Sequence, residues 1–393
     1  MAKNQYRKEP LKDNVEEMFI GPFGSSLKNE CFVDERNAYC MVYEQKHAIQ
    51  KTLAGKNRFV DRNKYQELKR FTVKPGDIIV SCRGTIGETF IIPENAPLGI
   101  MHPSIMKIRL KPNVYNIEYF NLLLKSRLEA YNKSANGSGV KMAISATELG
   151  KDLFPIPPMD EQQKISRIFF MVEHLILLRK QQLAKMDELV KERFVEMFGD
   201  PVKNTMDWEI KSLSELGELN RGVSKARPRN SPELLGGPYP LIQTGEVANA
   251  KTYITSFNST YSEKGLAQSK MWPKGTLCIT IAANIAQTSI LTFDACFPDS
   301  VVGFISRNMT NELFIHYWFS FFQKILDEQA PQVAQKNINL KILSELNVIV
   351  PPLSLQNRFA AFVERVDQQK QTVQQSLDKL ELMKKALMQE YFG

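Results

Sequence analysis

The sequence predicts a mixed α+β chain in which two similar α/β domains alternate with two long helices. Three observations carry that prediction. The chain repeats itself, each repeat ends in a long stretch free of helix breakers, and each stretch is preceded by short β-branched runs punctuated by Pro and Gly. Sliding the sequence over itself so that Ile156 falls on Val350, a shift of 194 residues, brings Gln162 onto Gln356, Val172 onto Val366, Leu183 onto Leu377 and Lys191 onto Lys385 without a gap. The match closes with Glu196-Met197-Phe198-Gly199 on Glu390-Tyr391-Phe392-Gly393. A single duplication at this spacing marks two halves, whereas repeats of about 20–50 residues would mark a solenoid. The predicted order is a first globular domain over residues 1–155, a helical region over 156–200, a second globular domain over 201–349 and a second helical region over 350–393.

Each helical region begins after a proline pair, Pro157-Pro158 or Pro351-Pro352, and contains no further Pro or Gly before Gly199 or Gly393. Proline is tolerated before or within a first helical turn and not in a helix interior. Gly199 is a suitable C-terminal cap. In the first region Ile165, Phe169, Val172, Ile176, Leu183, Met186, Val190 and Met197 fit the a and d positions of a heptad, with Arg179 and Arg193 as exceptions. In the second the same register takes Phe359, Val363, Val366, Val373, Leu377, Leu380, Leu387 and Tyr391, with Lys370 and Lys384 as exceptions. So narrow a stripe wants a partner helix, and the economical partner is the other region, antiparallel, as a coiled-coil-like rod of roughly 60 Å.

The globular segments also echo one another. Residues 73–92, VKPGDIIVSCRGTIGETFII, align with residues 272–291, WPKGTLCITIAANIAQTSIL, with Gly76 on Gly275 and Thr89 on Thr288. A Pro/Gly turn, an apolar run, small polar residues and a second apolar run read as two strands joined by a turn.

Composition narrows the class. A net charge of +8 over 393 residues favours an anionic partner such as nucleic acid. No apolar run is long enough for a membrane span. Five scattered cysteines without a Cys-x-x-Cys pair predict reduced thiols in a cytoplasmic protein.

The order of elements, with GPFGSSLK at 21–28, KPGDIIVSCRGTIGE at 74–88, the PIPPMDEQQKI to FVEMFGD block at 155–200 and the VPPLSLQNRF to YFG block at 350–393, resembles the specificity subunit of a type I restriction–modification system. The resemblance covers essentially the whole chain. It implies two target-recognition domains, each reading one half of a bipartite double-stranded DNA sequence, and two conserved helical regions that hold the halves apart with approximate two-fold symmetry. It also implies docking of two modification subunits, which carry S-adenosylmethionine, and optionally of restriction subunits, the motor–nuclease chains that use ATP and Mg. A roughly 60 Å rod bounds the span of the two sites at about 18 base pairs. A related system with a fused methyltransferase–nuclease partner is an alternative, as is a coiled-coil scaffold without sequence-specific DNA binding.

The residues themselves offer no catalytic set. A DNA aminomethyltransferase needs an Asn/Asp-Pro-Pro-aromatic motif beside a glycine-rich cofactor loop, and a translocase needs a phosphate loop; neither pattern occurs. Phe297–Phe304, FPDSVVGF, has the Pro-Asp of many nucleases but lacks a following Glu-x-Lys, so it is expected to lead into a strand. His47, His102, His174 and His316 lack metal-ligand spacing.

Base readout and phosphate contact need Arg, Lys, Asn, Gln, Ser or Thr on closely approaching loops. In the first domain the candidates are Ser25, Ser26 and Lys28, the turn with Arg83 and Thr85, and Lys141. In the second they are Arg221, Lys225, Arg227 and Arg229, then Asn284 and Gln287, then Gln335, Lys336 and Asn337. Apolar residues off the heptad seam, Phe170, Leu175, Leu177, Leu178, Leu189 and Phe198, are the candidates for subunit docking.

Overall fold

A computed structural model describes residues 6–136, 145–282, 286–321 and 338–393, with backbone only for 132–136. Two compact units emerge, one from residues 1–178 with 377–393 and one from 179–376. The boundaries fall inside two continuous 40-residue helices, Met159–Phe198 and Leu353–Phe392, which start directly after their proline pairs. Each unit therefore holds one globular segment, the beginning of one long helix and the end of the other.

In the first unit the strands are β1 (Lys8–Pro10), β2 (Val15–Ile20), β3 (Cys40–Tyr43), β4 (Phe59–Val60), β5 (Thr72–Val73), β6 (Ile78–Ser81), β7 (Thr89–Ile91), β8 (Gly99–Met101), β9 (Ile105–Leu110) and β10 (Leu153–Pro155). They form sheets ordered β2-β9-β6-β7 and β4-β3-β8-β5, and β1 pairs antiparallel with β10. The β6–β7 hairpin is the strand pair expected from residues 73–92. One face of the β2-β9-β6-β7 sheet, through Ile78, Val80, Met106 and Ile108, packs with Phe120 and Leu124 of the helix Ile117–Asn136 and with Phe169 and Phe392 of the long helices.

The second unit repeats this plan. Its strands are β11 (Glu209–Ser212), β12 (Gly217–Arg221), β13 (Leu235–Leu241), β14 (Tyr253–Ile254), β15 (Ser259–Tyr261), β16 (Met271–Trp272), β17 (Leu277–Thr280), β18 (Thr288–Leu291), β19 (Ala295–Cys296), β20 (Val301–Ser306) and β21 (Asn347–Val350). The sheets run β12-β20-β17-β18-β14 and β15-β13-β19-β16, with β11 paired to β21. Residues 297–300 lead directly into β20, as their sequence suggested.

Within each unit the long helices contact one another in antiparallel register. In the first, Phe169 meets Tyr391 and Phe392, and Glu173 pairs with Lys384 at 2.7 Å. In the second, Arg179 Nε donates to Ser376 Oγ at 3.3 Å, Asp187 pairs with Lys370 at 2.7 Å, and Phe194 and Phe198 meet Phe359. The lysines that break the heptad, Lys370 and Lys384, thus pair with carboxylates of the facing helix.

Phe198 corrects the sequence reading. Expected as an exposed docking residue, it is fully buried, with its ring 4.9 Å from Phe314 and 5.5 Å from Phe359. Its counterpart Phe392 is buried against Tyr119 and Phe169. At these ends the buried face moves from the heptad positions Arg193 and Met197 to Phe194 and Phe198. A straight helix drifts about 20° per heptad against a 3.5-residue repeat. Here, too, the helix Glu312–Trp318 of the globular segment supplies part of the packing surface. Gly199 ends the helix at φ 75°, a left-handed cap whose N–H donates to the Val195 carbonyl at 2.8 Å.

Gln162 and Gln356, the first matched polar pair after the prolines of the repeat, make the same buried clamp. Gln162 Oε1 accepts from the Asn116 N–H at 2.8 Å, and Nε2 donates to the carbonyls of Val114 and Pro157 at 3.1 and 2.8 Å. Gln356 Oε1 accepts from the Asn311 N–H and the Thr310 hydroxyl, and Nε2 donates to the carbonyls of Met309 and Pro351. Asn116 and Asn311 each use their side-chain oxygen to bind an N–H in the first turn of the following helix. A single glutamine therefore joins each long helix to a helix of its globular segment.

Candidate nucleic-acid interface

Among the described residues, two of the loops proposed from sequence meet at one end of a sheet in each unit. In the first unit β9 lies between β2 and β6, and its start faces the ends of both: Ile20 is opposite Met106, and Ser81 is opposite Ile105. The 21–28 loop leaves β2 and the 82–87 turn leaves β6, so they flank the segment 102–104 that feeds β9. Gly21 N–H donates to the Ile105 carbonyl at 2.9 Å, and Cys82 N–H donates to the Ser104 carbonyl at 2.9 Å. A Cβ at position 21 would collide with the His102 carbonyl, so only glycine permits this approach. Ser25, Lys28, Arg83 and Thr85 are exposed and Ser26 is half-buried. Burial pushes the His102 imidazole below its ordinary value, and its Nδ1 lies 2.7 Å from Ser104 Oγ, so the cationic groups here are Arg83 and Lys28.

The second unit is built alike. Arg221 ends β12 opposite Val302, and Thr280 ends β17 opposite Val301. Gly222 N–H donates to the Val301 carbonyl, Ile281 N–H to Ser300, and a Cβ at 222 would strike the Phe297 carbonyl. The basic run after β12 and the turn after β17 therefore flank residues 297–300. Arg221, Lys225, Arg227, Arg229 and Gln287 are exposed. Two of the arginines are partly spent on the protein. Arg229 pairs with Asp299 at 2.7 Å, while Arg227 Nη1 donates to the carbonyls of Ser224 and Ala226 at 2.8 Å. Arg221 and Lys225 have no ion pair among the described residues. Gln287 also borders a cavity of about 520 Å³ lined by Lys191, Thr288, His316 and Lys370. Lys141, Asn284, Gln335, Lys336 and Asn337 lie outside the described residues.

Comparison with known proteins gives the family. The family model described as the type I restriction modification DNA specificity domain matches residues 33–188 and again 205–382, once in each half. The chain belongs to that family.

Other members of the type I specificity group align along most of the chain. A Methanocaldococcus jannaschii protein provisionally named the type I restriction enzyme MjaX specificity subunit is 22% identical over 350 residues, covering 84% of this chain and 80% of that one. The type I restriction enzyme EcoBI specificity subunit of Escherichia coli is 23% identical over 328 residues, covering 75% and 68%. In fold, the chain matches one solved in work on complex assembly and conformational transition of the type I R-M system, with TM-score 0.62, 15% identity and coverage of 98% and 97%. It also matches the type I restriction–modification S subunit of M. genitalium, with TM-score 0.57, 15% identity and coverage of 99% and 97%.

The other surface singled out from sequence is the apolar one on the long helices. In the first unit Phe170, Met171, Leu175, Leu177 and Leu178 are exposed, Phe170 to 70%, and Phe170 stacks on His174. Leu189 is exposed in the second. The repeat shift carries Phe170, Leu175 and Leu177 onto Glu364, Gln369 and Gln371, so this apolar patch occurs on one helix only. Leu189 and Met383 are a matched pair exposed in both. Sequence reading passed over the aromatic inside its own motif: Phe23 is 86% exposed at the tip of the 21–28 loop. The available signal was a phenylalanine set between Pro22 and Gly24.

Proposed function

We propose that the chain selects the DNA sites at which a type I restriction–modification assembly acts, and performs no bond-changing step itself. The supporting observation is the duplicated interface: in both units, loops from two strands, one of them anchored at a glycine, flank the segment that starts the strand between them. Each interface reads one half of a bipartite target, with Arg83 and Lys28 serving one half and Arg221 and Lys225 the other. Arg229 is freed for phosphate when Asp299 is outcompeted, and the long helices set the gap. S-adenosylmethionine chemistry belongs to two modification subunits docked on the exposed helix residues, including Phe170, Leu175, Leu178 and Leu189. ATP and Mg belong to restriction subunits.

Mapping methylated adenines in cells that carry the chain with its modification partner tests the reading. Two short elements at a fixed gap are expected, and Arg221→Ala with Lys225→Ala should relax one element alone. A single contiguous element would overturn it. Phe170→Ser with Leu177→Ser should cut capture from two modification subunits toward one while the urea midpoint stays in place.

A further inference from the structure

The loop that carries Phe23 is a hydrogen-bonded turn. Pro22 and Leu27 are buried at its base, the Ser26 N–H donates to the Phe23 carbonyl at 2.9 Å, and the Leu27 N–H donates to that of Gly24 at 3.3 Å. A short 3-10 turn over Gly24–Ser26 thus holds an aromatic ring in solvent, and positions 21 and 24 are glycines. Exposure of so large an apolar side chain at the tip of this turn is not explained by packing among the described residues. Its surroundings are those of the interface. Ser25 and Lys28 share the loop, and Arg83 lies across residues 102–104. In the second unit the residue two after the anchoring glycine is Ser224, which is buried, and cations follow it instead.

We propose that Phe23 is a DNA wedge: it enters the stack at one base step of the half-site read by the first unit. The inference rests on the DNA-interface reading above. A phenyl ring carries no donor or acceptor, so it cannot read a base edge by hydrogen bonding. It can replace base–base stacking at a step that opens, which favours easily unstacked sequences. The first unit then selects partly by deformability, and the second by charge and base contact.

The test uses the full chain with its modification subunits and a duplex bearing the methylated sequence mapped in cells. 2-Aminopurine replaces successive purines of each half-site other than the methylated adenine. With the unaltered chain, fluorescence should rise at one step of one half-site on binding. Phe23→Ala should remove that rise and weaken specific binding by about 10- to 100-fold, leaving the salt dependence unchanged; Phe23→Trp should restore both. Arg83→Ala should lower affinity and flatten the salt slope. Persistence of the fluorescence rise and affinity in Phe23→Ala, alongside a loss in Arg83→Ala, would overturn the wedge and leave the interface standing. No change in either variant would overturn the interface itself. Loss of modification-subunit capture in Phe23→Ala, with DNA binding intact, would make Phe23 a protein contact and also overturn the wedge.

Discussion

Replacing Gln356 by methionine keeps the length of the side chain and removes all four hydrogen bonds of its clamp. The Thr310 hydroxyl can rotate toward another acceptor. The Asn311 N–H and the carbonyls of Met309 and Pro351 cannot move so freely, and they are left short of partners in a region where Gln356 is fully buried. At about 1–1.5 kcal/mol for each of these three groups, the loss is about 3–4 kcal/mol. With a urea slope of about 2.5 kcal/mol per molar, the midpoint should fall by about 1.5 M. The assay is convenient because all three tryptophans, Trp208, Trp272 and Trp318, lie in the same unit as Gln356. Their fluorescence therefore follows the unit under test. Gln369→Leu, on the exposed side of the same helix, should move the midpoint by no more than about 0.2 M. A shift for Gln356→Met no larger than that control would refute the clamp as a joint between helix and globular segment.

Asp77→Asn should destabilise the first unit by about 3 kcal/mol in denaturation followed by circular dichroism. The buried carboxylate binds Arg109 through both oxygens at 2.7 Å, and Glu17 at 3.1 Å would retain part of the guanidinium's pairing. Burial holds His316 down at about 4, against 6.5 when unfolded. The unfolded chain therefore binds the extra proton first, and stability falls as pH drops from 6.5 toward 4, by about 2 kcal/mol at pH 5. His316→Asn should flatten that limb, and an unchanged slope in equilibrium denaturation would show that the group titrates normally. Inserting one heptad into each long helix, after Leu178 and after Ser376, should lengthen each by roughly 10 Å and widen the methylation gap by about 3 base pairs. Both recognised elements should stay unchanged in the methylation map.

The repeat was legible because one chain carries both copies: equal functions in equal surroundings kept Gln162 with Gln356 and Phe198 with Phe392. The antiparallel seam was legible from heptads because both of its faces belong to the helices. It ceased to be legible at Phe194 and Phe198, where a helix more than a hundred residues away in sequence completes the packing. The β6–β7 hairpin could be read locally. The meeting of the 21–28 loop with Arg83 could not, since it depends on β2 and β6 both pairing with β9, and such pairings leave no periodic mark in sequence. Arg229 looked free for the same reason: Asp299 approaches it only through the fold.

The small pairings of β1 with β10 and of β11 with β21 have a consequence for segment exchange. In each half, the strand that opens the globular segment is hydrogen-bonded to the strand that closes it, immediately before the proline pair. The polypeptide thus leaves and returns at a single doorway, next to the point where the long helix begins. A segment exchanged between those two strands would keep the entry and exit of the chain, but it would have to bring its own partners for Gln356 and Phe198, as Thr310, Asn311 and Phe314 serve here.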